Sequence, residues 1–289
     1  MSDRPASLDD AATYAAAEIA SSGIAGPDAL LFLATGAGAV PEAMDDRAVL
    51  PLRDVPGVPR AWHAGELCVG RIGETIVWIV EDAPESAAPG EPAWHAGFPV
   101  WLAAAAGTRL LVHASAGTSL ARPGDAPFDV GRIVRVTDHV NLSGRSPLTG
   151  MGESRLGPLF PDQSRLHDAE LAEVAHEAAS AVGAELAEGV AACTTGPALS
   201  TPAEHRWFAS AGGDVAVQRL ADPLVAAAHA GLSALSLVAV SDLAGEEDLD
   251  VATLVARAAR TAPTLDRLLT ETAQRLAPVA RARAEEEVT

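Results

Sequence analysis

The sequence predicts an α/β fold with a central sheet covered by helices on both faces, and three observations support this. Short apolar runs rich in β-branched residues alternate with alanine-rich segments along the 289 residues. The runs are apolar on successive residues, which is typical of strands buried on both faces. Helix-start signals precede several of the alanine-rich segments. We therefore expect one layered domain over residues 1–289, with frayed ends at 1–8 and 284–289.

The individual elements follow from these patterns. The apolar runs predict strands at 29–34, 75–80, 109–115, 132–141, 189–195, 214–218 and 233–241. The alanine-rich segments predict helices at 98–106, 167–182, 201–211 and 222–230. The helix at 201–211 starts with a capping box, in which Thr201 and Glu204 satisfy free backbone N–H groups. A last helix is expected behind Pro263, because leucines recur there at helical spacing.

Composition excludes several classes of function. The net charge is −19 at pH 7, and such an acidic surface repels phosphate backbones and anionic lipid headgroups. We therefore expect neither nucleic acid nor a membrane as a partner. The N-terminus lacks the layout of a signal peptide, which predicts a soluble, cytoplasmic protein. Cys68 and Cys193 are expected to be buried free thiols, and the eight histidines show no metal-ligand spacing, so no metal site is predicted.

Polar or glycine residues follow four of the predicted strands. They are the segments 34–38 (ATGAG), 114–117 (ASAG) and 218–219 (QR), and Asp242. Ligands of open α/β sheets bind beyond the carboxyl ends of strands, so these residues are candidates for a shared site. Segment 34–38 offers backbone amides suited to an oxyanion, and the small residues of 114–117 let a ligand approach the backbone. Asp242 either faces a ligand or caps the following turn.

Two long segments resemble the trimeric purine nucleoside phosphorylases and the related methylthioadenosine phosphorylases. They are GRIVRVTDHVNLSGRSPLTG (131–150) and GPALSTPAEHRWFASAGGDVAVQRLADPLVAAAHAGL (196–232), supported by ATGAG (34–38), WHAG (62–65) and SAG (115–117). The resemblance implies an α/β domain with a central mixed, partly barrel-like sheet, and a homotrimer. It also implies a reaction in which inorganic phosphate attacks C1′ of a purine nucleoside while the base leaves, with no cofactor.

The resemblance places phosphate contacts at Thr35, His63 and the amide of Ser115. Ala114 falls where many relatives have an asparagine on the side of the base and ribose. The segment after the strand at 75–80, which carries cations in the family, here reads EDAPES (81–86). Carboxylates beside a phosphate site repel the anion. Arg219 is a candidate replacement cation, because a guanidinium binds phosphate bidentately.

On the base side, Leu199 matches a residue that packs on the purine, and Gln218 ends the neighbouring strand. Ser200 and Asp242 match the serine and aspartate of methylthioadenosine phosphorylases, whereas enzymes acting on 6-oxopurines carry glutamate and asparagine. Val251 stands where many relatives contact the ribose 5′-hydroxyl with histidine. The resemblance thus implies a preference for 6-aminopurine or 5′-methylthio nucleosides, with Asp242 as the catalytic residue that holds a proton for N7 or accepts from the 6-amino group.

Other interpretations remain open on the sequence alone. Arg219 is also consistent with a surface arginine paired with Asp222 or Asp214. The changed phosphate ligands are consistent with a non-catalytic descendant that acts as a purine-binding or regulatory subunit. A nucleosidase is a third possibility, with Glu81, Asp82 or Glu85 orienting water.

Two further family positions are interpreted as structural. Leu156 replaces a phenylalanine that relatives offer to a neighbouring subunit. His139 and Asn141, in the DHVN segment, are expected to organise a strand end rather than to take part in the reaction.

Overall fold

The computed structural model describes residues 7–34, 37–81, 90–122, 124–246 and 250–286. Its strands are β1 (Ala29–Leu33), β2 (Asp45–Pro51), β3 (Glu66–Ile72), β4 (Thr75–Glu81), β5 (Leu110–Ser119), β6 (Ile133–Asn141), β7 (Leu186–Thr194), β8 (Val215–Gln218) and β9 (Ser233–Leu243). Its α-helices are α1 (Leu8–Ser21), α2 (Phe98–Ala105), α3 (Ala169–Val182), α4 (Pro202–Ser210), α5 (Ala221–His229), α6 (Val251–Gln274) and α7 (Leu276–Glu286). Short 3-10 helices lie at Val40–Ala43, Leu52–Asp54, Arg60–Trp62 and Ala93–Gly97.

One mixed sheet organises the described residues and closes partly on itself. Its order is β2-β3-β4-β1-β5-β8-β7-β6-β9, and β9 also pairs with β5. Strands β5, β8, β7, β6 and β9 therefore form a closed barrel, from which β1, β4, β3 and β2 extend as an open sheet. The β5–β9 pairing is parallel and the β6–β9 pairing is antiparallel. The predicted α/β fold with a mixed, partly barrel-like sheet is confirmed.

Helices cover both faces of the open sheet, as the consecutive apolar residues of its strands predicted. Along β1, Leu30 and Phe32 pack into one hydrophobic core, whereas Leu31 and Leu33 pack into the other, because successive side chains of a strand point to opposite faces. Helices α1, α2 and α5 contribute to the first core, and α3, α6 and α7 contribute to the second. This arrangement fixes the end of β1 beside the barrel strand β5.

The sequence analysis missed α1, β2 and β3, and the structure gives a physical reason for the two strands. The residues of β2 are exposed or half-buried, so this edge strand carries no apolar run. Strand β3 contains Gly70, where an added Cβ would lie 2.8 Å from the Asp45 carbonyl oxygen, so the glycine permits a close approach of the two strands. Helix α1 begins at Leu8, which is buried, and Ser7 caps it by accepting from the Asp10 N–H.

Both chain ends are more regular than the sequence analysis expected, within the described residues. Residues 284–286 belong to α7, whereas residues 1–6 and 287–289 lie outside the described part. The last helical region begins earlier than predicted, because α6 starts at Val251 and contains Pro263 in its interior. Its leucines Leu265, Leu268 and Leu269 are buried, as expected. No helix in the described ranges combines the length and apolar character that crossing a bilayer requires.

Candidate functional site

A cavity of about 180 Å³ lies where four barrel strands end. It is lined by Thr118, Thr194, Leu199, Ser200, His205, Ala216, Gln218, Asp242, Leu243 and Glu246. The strands β5, β7, β8 and β9 each contribute their last or next-to-last residue to this lining. The cavity is smaller than the roughly 300–1,000 Å³ of pockets that enclose drug-sized ligands, so it suits a single heterocyclic base. Four of the predicted site residues, Leu199, Ser200, Gln218 and Asp242, meet here.

The carboxylate of Asp242 is held in the wall of this cavity by two hydroxyl groups. The residue is only 5% exposed, Thr118 Oγ1 donates to Oδ2 over 2.7 Å, and Ser241 Oγ donates to Oδ1 over 2.6 Å. These lengths are typical of a hydroxyl donating to a carboxylate. Each carboxylate oxygen can accept a second hydrogen bond, so Asp242 still offers acceptor sites to a ligand N–H group. This geometry favours a ligand-facing carboxylate over a turn cap.

The segment between β7 and α4 carries Leu199 and Ser200 and is attached to the end of β8. Gln218 Nε2 donates to the Ala198 carbonyl oxygen over 3.1 Å. An added Cβ at Gly196 would lie 2.2 Å from Gln218 Oε1, so only glycine permits this contact. Leu199 remains 53% exposed, which leaves its side chain open to a ligand in the adjoining cavity.

His205 is a site residue that the sequence analysis missed. It lies one turn into α4 and lines the cavity. Burial lowers its pKa, against the opposing effect of the Asp242 and Glu204 carboxylates, so the ring is neutral at pH 7. Its Nδ1 is buried without a hydrogen-bond partner among the described residues. The available signal was its place on the helix that the capping box starts, directly after Leu199 and Ser200.

The mouth of the cavity is fixed by an ion pair. Arg257 Nη1 on α6 donates to Glu246 Oε2 over 2.7 Å and to the Ser241 carbonyl oxygen over 3.3 Å. The pair therefore ties α6 to the end of β9, next to Asp242. Thr118, Thr194 and Glu246 were also missed, although the two threonines follow the same rule as Asp242, a polar residue at the end of an apolar strand.

One predicted phosphate contact, Ser115, lies further back along β5, next to Ala114 and beside the end of β1. Ala114 is opposite Leu33, and the Ala34 N–H donates to the Ala114 carbonyl oxygen over 2.7 Å. Ser115 is 3% exposed, and its hydroxyl has no hydrogen-bond partner among the described residues. Ser115 and Thr118 are three residues apart on one strand, which separates them by about 10 Å. Thr35 itself lies outside the described residues.

At one position of segment 114–117, Gly117, the small residue serves internal packing rather than the approach of a ligand. An added Cβ at Gly117 would lie 2.8 Å from both the Ala216 carbonyl oxygen and Val238 Cγ1. What approaches the β5 backbone there is therefore the neighbouring strands β8 and β9. The expectation that the glycine admits a ligand is corrected in this respect.

His63 and Arg219 do not line the cavity. His63 follows the 3-10 helix Arg60–Trp62, which lies beside β1 because Trp62 packs edge-on against Phe32, with ring centroids 5.8 Å apart. The His63 ring Nε2 is 3.0 Å from the Val58 carbonyl oxygen. Arg219 follows β8 in a left-handed backbone conformation, φ 64°, and its N–H donates to the Thr194 carbonyl oxygen over 2.7 Å. A positive φ is uncommon for a side chain of this size and recurs at functional sites.

The suggested surface partners of Arg219 each have another arginine. Arg122 Nε lies 2.7 Å from Asp214 Oδ1, and Arg145 Nη2 donates to Asp222 Oδ2 over 2.9 Å. Glu81 ends β4 opposite Leu33 and is exposed, while Asp82 and Glu85 lie outside the described residues. Val251 begins α6, but its side chain lies outside the described part.

Residues 29–274 match the family described as the phosphorylase superfamily. The chain belongs to this superfamily. A purine nucleoside phosphorylase of Mycobacterium tuberculosis is 33% identical over 279 residues, which cover 94% of this chain and 98% of that protein. Purine nucleoside phosphorylase 1 of Geobacillus stearothermophilus is 29% identical over 228 residues, 75% of this chain and 79% of that protein.

Solved structures of the superfamily share the fold. Isoform 2 of a purine nucleoside phosphorylase from Schistosoma mansoni, in complex with cytosine and ribose-1-phosphate, superimposes with a TM-score of 0.85 at 23% identity. The match covers 94% of this chain and 99% of that one. At this level of identity the likeness establishes the fold, and the chemistry of the site has to be argued from the residues present.

Proposed function

We propose that the protein is a purine nucleoside phosphorylase that favours 6-aminopurine nucleosides, including those with a 5′-methylthio group. Inorganic phosphate is the co-substrate, and the reaction needs no cofactor. Phosphate forms a bond to C1′ of the sugar while the N-glycosidic bond to the purine breaks and the base leaves with the bonding electrons. The superfamily membership and the curated relatives support the reaction type.

The observation that carries the substrate preference is the hydrogen bonding of Asp242. Its carboxylate accepts from Thr118 and Ser241 and so presents acceptor oxygens, not a donor, to the cavity. A 6-amino group donates to such an oxygen, whereas the 6-oxo group of inosine is itself an acceptor and meets an unfavourable partner. Ser200 leaves room beside it, where a glutamate would add a second acceptor.

The spacing along β5 supports a nucleoside rather than a free base as the substrate. Ser115, beside the end of β1, and Thr118, beside Asp242, are separated by about 10 Å. In the proposal, the sugar lies between an anion held near the backbone amide of Ser115 and a base held near Asp242. In this proposal, Ser115 with Thr35, His63 and Arg219 holds the phosphate, and Ala114, Leu199, Ser200, Gln218 and Val251 border the base and ribose.

The test is base release from adenosine, inosine and methylthioadenosine, each with and without phosphate. Release that requires phosphate, with adenosine or methylthioadenosine ahead of inosine, supports the proposal. Release without phosphate identifies a nucleosidase, and base binding without release identifies a non-catalytic subunit. Phosphate-dependent release that favours inosine leaves the reaction type standing and removes the role given to Asp242.

Assembly and location belong to the same proposal. We propose a homotrimer acting in the cytoplasm. Phe160, in the segment that follows Leu156, is 90% exposed and in this proposal is available for a subunit contact. The free thiols Cys68 and Cys193 are consistent with a reducing compartment. Light scattering coupled to gel filtration tests the trimer, and a monomer at micromolar concentration would remove it.

A further inference from the structure

The fold brings together three potential metal ligands that the sequence separates. Strand β6 pairs with β9 only over Ile133–Arg135 and then bulges against β7 between Val136 and Asp138. Beyond that point the segment preceding α3 takes the place of β6 beside β9. The Ala234 N–H donates to the Leu166 carbonyl oxygen over 2.8 Å, and His167 forms a parallel bridge with Ala234.

The position of His167 is fixed by its neighbour Asp168. Asp168 caps α3, and its carboxylate also accepts from Ser233 Oγ over 3.0 Å and from Arg283 Nη2 over 2.9 Å. His167 therefore lies beside His139 of β6, with His167 Nε2 3.0 Å from His139 Nδ1. The two imidazole rings meet edge to face, with ring centroids 5.3 Å apart and an interplanar angle of 64°.

Asp138 completes the group. One ligand atom from each of Asp138, His139 and His167 lies within 4.8 Å of the other two. Oδ1 of Asp138 also accepts from the His139 N–H over 2.7 Å, which restricts the orientation of the carboxylate. Tetrahedral zinc with bonds of about 2.0–2.2 Å places its ligand atoms roughly 3.3 Å apart, close to the separation of the two ring nitrogens.

The surroundings suit a divalent ion. Both rings are half-buried, and a neutral imidazole offers one nitrogen lone pair to a metal ion. The nearest arginine, Arg135, is paired with Glu188, its Nη2 lying 2.6 Å from Glu188 Oε1. Asp138 is exposed, so solvent can supply the ion and the water that completes four ligands.

We propose that Asp138, His139 and His167 form a binding site for Zn²⁺, which fastens β6 to the segment before α3. Imidazole and carboxylate ligands together suit zinc and similar transition metals, whereas Mg²⁺ and Ca²⁺ require oxygen ligands. None of the three residues lines the cavity at Asp242, so the bound ion stabilises the fold rather than contacting a substrate there. The spacing of the histidines in the sequence gives no sign of this site, because 28 positions separate the two rings.

The test is calorimetric titration of the full-length protein, without a polyhistidine tag and pretreated with EDTA, with ZnCl₂. We expect saturable binding of one ion per chain and a rise in Tm, and no binding of MgCl₂ or CaCl₂. Replacing Zn²⁺ with Co²⁺ should give the visible absorption of a tetrahedral site. Absence of saturable Zn²⁺ binding, or a Co²⁺ spectrum without tetrahedral bands, overturns the proposal.

Variants identify the ligands. Loss of a hydrogen-bond partner behind a metal ligand weakens metal binding about 10- to 100-fold. His139→Gln and His167→Gln each remove a ligand itself and should weaken Zn²⁺ binding by more than that. Asp138→Asn, at an exposed position, tests the site even if a histidine variant does not fold, and should also weaken binding. His176→Gln is the matched control, because His176 is a half-exposed histidine bonded to Glu188 outside the group. Zn²⁺ affinity that is equal in Asp138→Asn and His176→Gln overturns the assignment.

Discussion

Replacing Asp242 with asparagine tests the substrate preference with little change in shape. The carboxylate is 5% exposed and accepts from Thr118 Oγ1 over 2.7 Å and Ser241 Oγ over 2.6 Å. Asparagine keeps one acceptor oxygen for one hydroxyl, and the other hydroxyl can rotate to accept from the new amide. The fold should therefore survive, with a loss of about 2–3 kcal/mol as two charge-assisted hydrogen bonds become neutral, each losing about 1–1.5 kcal/mol.

The expected change in specificity follows from the hydrogen bonds exchanged with the base. A bond from the 6-amino group to a carboxylate is worth about 1.5–3 kcal/mol, whereas a bond to a neutral amide oxygen is worth about 0.5–1.5 kcal/mol. The amide N–H can instead donate to a 6-oxo group. The ratio of kcat/KM for adenosine over inosine should thus fall by at least about tenfold, since 1.4 kcal/mol corresponds to a factor of ten.

The assay measures kcat/KM for adenosine, methylthioadenosine and inosine at saturating phosphate. Asp214→Asn is the control, because Asp214 is also buried but accepts from the Val190 N–H over 2.8 Å and does not line the cavity. It should lower Tm without changing the substrate ratio. An unchanged ratio in a folded Asp242→Asn protein, or an equal change in the control, would refute the role of Asp242.

Three other expectations concern charge and burial elsewhere. Arg219→Ala should raise the KM for phosphate at least about tenfold and change the affinity for the base less than about twofold, because a guanidinium contributes charge-assisted bonds to the anion. Titrations that show equal losses of affinity for phosphate and for the base would contradict this. Burial raises the pKa of Cys193 to about 12 and also raises that of Cys68. Neither thiol should therefore react quickly with a disulfide reagent at pH 8 until the protein is unfolded. Fast labelling of Cys193 in the native protein would exclude this packing. Asp266 Oδ2 accepts from the Ala39 N–H over 3.3 Å, and burial raises the pKa of this carboxyl group. The stabilising contribution of Asp266 is therefore present at pH values below its pKa in the unfolded chain and is lost as the pH rises through its pKa in the folded protein. Asp266→Asn should therefore raise Tm at pH 7 by less than about 4 °C and leave it unchanged at pH 3, as followed by circular dichroism.

Uniform burial makes some of the predicted strands easy to recognise in the sequence. Strands β1, β5 and β9 are buried almost throughout, so their apolar runs stand out against any neighbouring segment. Strand β2 is exposed at five successive residues and pairs on one side only, so hydrogen bonding to β3 rather than hydrophobicity defines it. A strand of this kind is stabilised by the strand it pairs with, and no local sequence pattern identifies that partner.

The same distinction applies to the site. Leu199, Ser200, Gln218 and Asp242 could be proposed together, because each stands at a strand end or in a segment that resembles the family. His205 was missed, although its place on the capped helix α4 offered a signal, because only folding brings it beside Asp242. The pair of His139 and His167 offered no signal, because 28 positions separate the two rings. A histidine takes its chemistry from what surrounds the ring, and burial and partners become visible only when the strands are closed into the barrel.

The acidic composition of the protein requires that the negative charges near the proposed phosphate site be offset by a cation. Under the proposed function, a protein with a net charge of −19 binds phosphate near a strand end where Glu81 stands opposite Leu33. Backbone amides near residue 39 are already engaged by the Asp266 carboxylate. The cation proposed to offset these charges is Arg219, which follows the cavity residue Gln218 and has a left-handed backbone conformation. Arg219 therefore combines an uncommon backbone conformation with the guanidinium that the proposal requires, whereas glycine would adopt that conformation freely and could not attract phosphate.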